Sequence, residues 1–455
     1  MTSISQNEDL RHTWFGQISP DWKLGRAKNA FGVISKKVEQ RSSEYNLLSL
    51  TNRGIIFRDI ENGKGKFPAS FDTYQEVKKN DIVFCLFDID ETPRTVGLSD
   101  IEGMITGAYT VVRCTEQVEP RFVAYFYLSI DERKGLRPFY TGLRKVVRTE
   151  TFLNATIPLP DLPTQRAIAD FLDHETARID TLIEKKQQLA ELLEEKRSST
   201  ISRLVSRGKE YSNNLKESGE DWIGLIPSHW ETKKLSNFFH FRNEKNYPIK
   251  TDVVLSLSIA RGITVYSDEN RVGGNKRKDD LSSYKIAHKG DIVLNSMNVI
   301  VGAVGRSDYF GAISPVYYAL YPINEDVHVP YFENIFMNTG FQKSLLRFGK
   351  GILMKISGTG KMNTIRMKIS QDDLKKVVFP VPPIQEQMAI ASYIEAENTR
   401  IDLIVTGTNK SVELLKEYRS ALITSAVTGQ IDVSTYERSG TTDRQLDIIQ
   451  SEIQA

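Results

Sequence analysis

Few side chains in this sequence stand at spacings that would support catalysis. The stretch Gly358-Thr359-Gly360-Lys361 comes nearest to a phosphate-binding loop, but it lacks the first glycine of that motif, and Met362 replaces the hydroxyl residue that follows the lysine. The six histidines are scattered, and His174 has no partner at metal-ligand spacing. The two cysteines, Cys85 and Cys114, cannot form a four-ligand zinc site or a disulfide framework. We therefore predict no catalytic residue and no metal site in this chain.

Lysines and arginines, several of them beside glycines, indicate a different chemistry, which is binding to an anionic polymer. In DNA-binding proteins such side chains contact phosphates and base edges. The candidates are Lys64, Lys66, Arg94, Arg261, Lys276, Arg277, Lys278, Arg306, Lys350, Lys355 and Lys361. The whole chain has 60 basic and 58 acidic residues, a net charge of +2, which argues against a uniformly basic coat. Each candidate taken singly is also explained as a solvated surface charge.

The sequence is internally duplicated. A first pair of similar blocks shares tryptophans, glycines and an Asp-Ile-Val tripeptide at nearly constant spacing. Matching residues are Trp14/Trp222, Trp22/Trp230, Asp81/Asp291, Gly97/Gly305, Gly103/Gly311 and Tyr109/Tyr317. A second pair of similar segments, 158–183 and 380–405, follows the two blocks. The order is therefore block, segment, block, segment. We expect the matched glycines to be turn residues with positive φ.

Both copies of this segment, which begin at residues 158 and 380, have the apolar spacing of a long helix. The stripe residues are Ile168, Leu172, Ile179, Leu182, Leu189 and Leu193, then Ile390, Ile394, Ile401, Ile404, Leu415 and Leu422. Each helix is expected to begin after a proline-rich entry and to end near Gly208 or Gly429. A narrow stripe on a polar helix cannot be buried by that helix alone. We therefore predict that the two helices pack antiparallel as a coiled coil.

The two blocks have the short β-branched and aromatic runs of α/β or mostly-β modules. The predicted fold class is α+β, with two similar α/β domains separated by two long antiparallel coiled-coil helices in a pseudo-two-fold repeat. The predicted domains are 1–155 and 211–378 for the blocks, 156–210 and 379–433 for the helices, and 434–455 for a C-terminal tail that we expect to be mobile.

Two similar modules held apart by a rod suit two half-sites on B-DNA, whose helical repeat is about 34–36 Å. Because the blocks differ outside their shared scaffold residues, we expect an asymmetric, gapped site. Two alternatives remain open at this point. A coiled-coil adaptor would bind proteins without sequence-specific DNA binding. An enzyme acting on DNA by itself would need a cofactor or metal site that the sequence does not offer.

The helix openings resemble those of the specificity subunit of type I restriction-modification systems. The first runs from Ile157-Pro158-Leu159-Pro160 to Arg178-Ile179-Asp180, and the second from Phe379-Pro380-Val381-Pro382 to Arg400-Ile401-Asp402. The stretch 426–432 is also typical of that family. One departure is Pro163-Thr164, which replaces the Gln385-Glu386 of the second copy and concerns the start of the first helix alone.

The resemblance implies specific roles and partners for the repeated parts. The blocks would be target-recognition domains, and the helices the central and distal conserved regions. Double-stranded DNA, two methyltransferase (modification) subunits and two restriction/translocase subunits would be the partners. This chain would hold no cofactor, since S-adenosylmethionine, ATP and magnesium would belong to the other subunits. No run of 18 apolar residues and no secretory signal is present, so we expect a cytoplasmic protein without membrane contact.

Overall fold

The computed structural model describes residues 14–59, 70–142, 145–209, 214–259, 261–267, 280–349 and 368–451. The chain divides into two compact units. Unit 1 comprises residues 1–188 and 407–455, and unit 2 comprises residues 189–406. Each unit thus contains one of the repeated blocks and one half of each long helix. The domain boundaries expected from the sequence remain a prediction.

The block of unit 1 is built on antiparallel strands. Its strands are β1 (Lys23–Arg26), β2 (Phe31–Ile34), β3 (Leu48–Thr51), β4 (Gly54–Phe57), β5 (Gln75–Val77), β6 (Ile82–Phe84), β7 (Val96–Leu98), β8 (Gly103–Ile105), β9 (Thr110–Cys114) and β10 (Thr156–Leu159). Its helices are α1 (Ala27–Ala30), α2 (Pro120–Glu132) and α3 (Thr149–Asn154), and the long helix α4 (Leu162–Arg207) follows. The strands form a four-stranded sheet, β2-β9-β6-β7, and the pairs β1–β10, β3–β4 and β5–β8.

The block of unit 2 repeats this plan. Its strands are β11 (Leu215–Glu217), β12 (Leu225–Pro227), β13 (Glu231–Lys234), β14 (Phe239–Arg242), β15 (Leu255–Ser258), β16 (Gly262–Val265), β17 (Lys285–Ala287), β18 (Ile292–Asn295), β19 (Val304–Arg306), β20 (Gly311–Ile313), β21 (Tyr317–Pro322) and β22 (Val378–Val381). Its helices are α5 (Val329–Met337), α6 (Thr339–Ser344) and α7 (Gln371–Leu374), followed by the long helix α8 (Ile384–Val427).

The sheet of unit 2, β14-β21-β18-β19, has the strand order of the sheet in unit 1, and the pairs β13–β22, β15–β16 and β17–β20 also have counterparts there. Unit 2 also contains the pair β11–β12; the residues of unit 1 that are equivalent to β11 lie outside the described ranges. The structure therefore confirms two repeated domains of mixed helix and strand content.

Strand β6 and its counterpart β18 are buried on both faces of the sheet, which explains their unbroken apolar runs. In β6, Ile82 and Phe84 share a core with Phe122 of α2, whereas Val83 packs on the opposite side with Leu48 of the β3–β4 hairpin. Alternate residues of a strand point to opposite faces, so one strand serves two cores. In β18 of unit 2, Ile292 and Leu294 belong to one cluster, and Val293 belongs to another with Leu255.

The matched glycines are not turn residues, and that expectation was wrong. Gly97 and Gly103 lie in β7 and β8 without positive φ. A Cβ atom on Gly97 would lie 2.7 Å from Leu50 Cδ1, and one on Gly103 would lie 2.3 Å from the carbonyl oxygen of Asn46. The small residue is needed because the β3–β4 hairpin and the segment before it lie against these strands.

The ends of α4 and α8 confirm the predicted helix stops. Gly208 and Gly429 follow the two helices with φ of +77° and +69°, a conformation that glycine adopts without strain. Within unit 2, Gly208 lies against the ring of Trp230, and within unit 1, Gly429 lies against Trp22. The repeated tryptophans are thus docking points for the C-terminal ends of the helices.

The stripe of apolar residues on the long helices is buried over most of its length. The residues that are at most 3% exposed are Ile168, Leu172, Ile179, Ile390, Ile394, Ile401, Leu415 and Leu422. Leu182, Leu193 and Ile404 are half-buried. Leu189 differs from the other stripe residues, because it is 45% exposed. Within the described residues, no helix has both the length and the apolar composition needed to span a membrane.

The predicted C-terminal tail forms ordered secondary structure in unit 1. Residues 433–451 fold as α9 (Val433–Arg438) and α10 (Thr441–Ser451), where we had expected a mobile tail. Leu446 and Ile449 of α10 are buried in the core that contains Ile179 of α4. Their spacing of three residues gives α10 an apolar side, which the prediction overlooked.

Two buried glutamines fasten the long helices to their blocks in the same way. Gln387 Nε2 donates a hydrogen bond to the carbonyl oxygen of Pro382 (2.9 Å), and Gln387 Oε1 accepts one from the backbone N–H of His328 (3.1 Å). Gln165 makes the matching bonds in unit 1, to Pro160 (2.8 Å) and from Glu119 (3.0 Å).

Replacing Gln387 by Leu should destabilise unit 2, because the backbone groups of Pro382 and His328 would lose their buried partner. A buried polar group left without a hydrogen bond costs about 1–3 kcal/mol. We expect a corresponding fall in the free energy of unfolding, measured by urea titration. Gln385→Leu, at an exposed position two residues earlier, is the control. Equal stability of the two variants would contradict this role for Gln387.

Candidate nucleic-acid interface

Three of the eleven cationic candidates lie within the described residues. Arg94, Arg261 and Arg306 can be placed, whereas Lys64, Lys66, Lys276, Arg277, Lys278, Lys350, Lys355 and Lys361 lie outside the described ranges. Five of the candidates outside these ranges belong to two lysine-rich segments of the sequence, one between β4 and β5 and the other between β16 and β17. The two segments occupy matching places in the two blocks. Their assignment to DNA binding remains a prediction.

Arg94 and Arg306 are both engaged with groups of their own unit. Arg94 Nη2 donates to the carbonyl oxygen of Asn52 (2.9 Å), and burial lowers the pKa of its guanidinium below the ordinary value. Arg306 Nε lies 3.7 Å from Glu333 Oε2, and the backbone N–H of Arg306 donates a hydrogen bond to Glu333 Oε1 at 2.9 Å. A phosphate would have to compete with these contacts for the guanidinium of either residue.

Arg261 is placed differently, at the turn of the β15–β16 hairpin. Its backbone N–H donates to Ser258 Oγ (3.1 Å), and its exposed side chain has no partner among the described residues. Gly262 follows with φ of +59°. The backbone of the turn is thereby held by a hydrogen bond, and the Arg261 side chain is exposed.

The first block contains the same arrangement, which sequence reasoning missed. Arg53 stands at the turn of the β3–β4 hairpin, its backbone N–H donates to Thr51 Oγ1 (3.1 Å), and Gly54 follows with φ of +94°. The Arg53 side chain is exposed and also lacks a partner in the described part of the chain. The signal was available, because Arg53-Gly54 and Arg261-Gly262 occupy equivalent positions of the repeat.

Both hairpins also expose large apolar side chains. In the first hairpin (residues 48–57), Phe57 is 55% exposed, and in the second (residues 255–265), Ile259 is 58% exposed. Exposed apolar side chains on a hairpin whose arginine has no partner among the described residues suit a surface that binds another molecule. Proteins that enter a DNA groove use this combination, with arginine on the backbone or base edges and an apolar side chain against the bases.

In each block, a buried aspartate is paired with an arginine of the sheet. In unit 1, the carboxylate of Asp81 accepts two bonds from Arg113 (2.7 and 2.8 Å); in unit 2, Asp291 accepts two from Arg242 (2.6 and 2.9 Å). Each carboxylate raises the pKa of its arginine. The aspartates are equivalent in the repeat, but the arginines are not. Arg113 lies on β9, whereas Arg242 lies on β14, which is the counterpart of β2.

The long helices carry matching ion pairs within each unit. In unit 1, Arg419 of α8 donates to both carboxylate oxygens of Asp180 of α4 (2.9 and 3.2 Å). In unit 2, Arg197 of α4 forms an ion pair with Asp402 of α8. Asp180 is equivalent to Asp402 in the repeat, and Arg197 to Arg419, so the contacts are reciprocal, as they are at a two-fold interface.

The described residues contain no group of three or more His, Cys, Asp or Glu side chains arranged to hold a metal ion. What the two blocks share is one strand scaffold, an arginine at the same hairpin turn and a buried aspartate.

A family profile described as the type I restriction modification DNA specificity domain matches residues 60–192 and 227–414. The chain belongs to this family, as its helix openings suggested. Its curated relatives are named specificity subunits of type I restriction enzymes.

The similarity to individual relatives is low in identity but in places long. The putative type I restriction enzyme MjaX specificity subunit of Methanocaldococcus jannaschii is 22% identical over 94% of this chain and 98% of the relative. The EcoBI specificity subunit of Escherichia coli is 23% identical over 63% of this chain, and the match spans 60% of that relative.

A solved structure described as the "Structural basis underlying complex assembly and conformational transition of the type I R-M system" contains a chain of similar fold. Its TM-score is 0.60 at 14% identity, and the match covers 91% of this chain and 100% of that one. At this identity the likeness concerns the fold alone.

Replacing Arg242 by Met should strongly destabilise unit 2. The side chain of Asp291 is 2% exposed, and removing the partner of a buried charge costs about 3–5 kcal/mol. We expect the double variant Arg242→Met, Asp291→Asn to recover part of that loss, because it removes the stranded charge. Chemical denaturation measures both changes, with Lys234→Met at an exposed position as control. Additive effects of the two substitutions would argue against the buried pair.

Proposed function

We propose that this chain is the DNA sequence-specificity subunit of a type I restriction-modification complex. Each block reads one half of an asymmetric, bipartite DNA site, and the long helices set the gap between the halves as an antiparallel coiled coil. The observation that carries this proposal is the duplication of one scaffold with two different surfaces. An arginine stands at the same turn of both hairpins, whereas the strand behind it reads Ile55-Ile56-Phe57 in one block and Ile263-Thr264-Val265 in the other.

The division of labour follows from what each part offers. The hairpin arginine, which has no partner among the described residues, and the lysine segment that follows each hairpin in the sequence supply phosphate contacts and anchor the block, and the differing side chains of the two blocks select the bases. Catalysis is carried out by partners: two methyltransferase subunits and two restriction/translocase subunits dock on this chain. S-adenosylmethionine, ATP and magnesium belong to those subunits. The complex works in the cytoplasm.

The hairpin arginines give the first test. We expect Arg53→Gln to weaken recognition of one half-site and Arg261→Gln that of the other. If each removes one phosphate contact, the slope of log K against log salt concentration should fall by about one in each variant. Fluorescence anisotropy on duplexes carrying the cognate site measures both effects. Arg148→Gln, at an exposed position outside the hairpin, should leave the slope unchanged. Loss of both half-sites from one substitution would contradict separate reading heads.

Exchange of a whole block tests the proposal more broadly. Replacing residues 1–155 by the corresponding block of another family member should change one half of the target and leave the other half and the gap unaltered. Shortening both long helices should change the gap alone. Methylation patterns of plasmid libraries in cells carrying each variant give the readout. A coiled-coil adaptor without sequence-specific binding would give no target in any variant.

A further inference from the structure

Two lysines stand at directly opposite positions in the second block. Lys245, in the segment between β14 and β15, is paired antiparallel with Lys285 at the start of β17. Residues that oppose each other in this way have their side chains on the same face, and like charges there are unfavourable. Neither lysine forms an ion pair with a carboxylate among the described residues. The pair therefore presents positive charge that the described part of the chain does not neutralise.

A third lysine, Lys368, lies close to this pair. Lys285 Nζ is 5.0 Å from the centre of the Tyr318 ring, and the Tyr318 hydroxyl donates a hydrogen bond (3.3 Å) to the carbonyl oxygen of Ile369. Burial, and then the charge of Lys368, lower the pKa of Lys285 below its ordinary value. Lys368 is exposed and, like Lys245, has no ion-pair partner in the described ranges. These three residues, the lysine cluster, come from three separate segments of one block.

The first block has the same backbone arrangement with less charge. Lys37 and Gln75 form the equivalent antiparallel pair. Gln75 Nε2 donates to the carbonyl oxygen of Tyr109 (2.6 Å), as Lys285 Nζ does to that of Tyr317 (2.8 Å). A neutral amide and an ammonium thus make the same structural contact, so the fold does not require the positive charge of Lys285.

The position of Lys368 is also uncharged in the first block. Ile369 and Val147 are buried, and their backbone N–H groups make equivalent hydrogen bonds (3.0 and 2.9 Å) to the segments that follow β18 and β6. The residues before them, Lys368 and Val146, are therefore equivalent. Two of the three charges of the lysine cluster are specific to the second block.

The lysine cluster lies beside the base of the hairpin that carries Arg261. Lys285 is paired with Ile313 of β20, and Ala312 of the same strand is bridged to Val254, which directly precedes the hairpin. Lysine ammonium groups bind phosphates as point charges, and the backbone of a duplex presents phosphates in a continuous row. Because two of the three lysines are exposed at the surface, they suit an extended polyanion.

We propose that Lys245, Lys285 and Lys368 bind backbone phosphates of a DNA duplex, in a contact that the first block lacks. The two blocks then hold DNA unequally, because the second is anchored by its lysine cluster in addition to its hairpin arginine. This asymmetry concerns affinity and not the choice of bases, since phosphate contacts carry no sequence information directly. That the duplex is a target site rests on the proposed function; the phosphate contact itself does not.

Salt titrations of the full-length protein on random-sequence duplexes test the contact without knowledge of the target. Each lost phosphate contact should make the slope of log K against log salt concentration less steep by about 0.9. We expect this change for Lys245→Gln and for Lys285→Gln, whose amide can keep the hydrogen bond that Gln75 makes in the first block. Lys37→Gln, the match of Lys245→Gln, should leave the slope unchanged. Lys343→Gln, at an exposed position of α6, should do the same, and thermal unfolding confirms that each variant is folded.

Chemical footprinting locates the contact in the unaltered protein. A bound duplex should protect the lysine cluster from an amine-acetylating reagent, as read by peptide mass spectrometry, and should leave Lys343 reactive. Sodium tripolyphosphate at the same phosphate concentration should protect the cluster less than the duplex does, because it cannot reach across three separate segments as a continuous backbone can.

Unchanged reactivity of the lysine cluster in the DNA-bound protein, or an unchanged slope in Lys285→Gln, overturns the proposal. Equal changes in Lys37→Gln and Lys245→Gln overturn it too, because the first block would then hold the same contact. Protection by tripolyphosphate as strong as that by the duplex would assign the site to a free polyphosphate instead. Absence of any sequence preference, with the cluster still protected by DNA, counts against the proposed function alone, so the two can fail separately.

Discussion

The narrow apolar stripe on each long helix is the constraint on which both units depend. Neither α4 nor α8 can bury its stripe alone, because each stripe covers one side of an otherwise polar helix. Within unit 1, Leu172 of α4 and Leu422 of α8 lie in one core with the phenylalanines of α2. Within unit 2, Leu204 and Ile394 are combined in the same way with residues of α5. Each block therefore completes its core with two helix halves that are far apart in sequence.

The sequence predicted the scaffold because the duplication marks buried positions. Asp81 and Asp291, or Gln165 and Gln387, are identical in both copies, and in both copies the buried side chain forms a hydrogen bond with the equivalent backbone group. The partners of the aspartates could not be predicted. Arg113 and Arg242 lie on different strands, and strand order is set by long-range pairing that neither local sequence reveals.

The cationic site was harder to predict for a related reason. Charge and a neighbouring glycine do not distinguish a free arginine from one engaged by its own fold, such as Arg306 beside Glu333. The distinction depends on three-dimensional neighbours, which the hairpin arginines lack among the described residues. Equivalence within the repeat was the better indicator, because it singles out Arg53 and Arg261 without reference to charge density. The packing of α10 was missed for the opposite reason: it has no second copy.

The central claim is that two unlike modules of one chain dictate where partner subunits act on DNA. Sequencing of methylated bases across the genome of a host carrying this protein and its partner subunits tests it most directly. The account predicts one asymmetric motif in two parts, separated by a fixed number of unspecified bases. A continuous palindromic motif would contradict it, because two different reading surfaces cannot generate a symmetric, ungapped site.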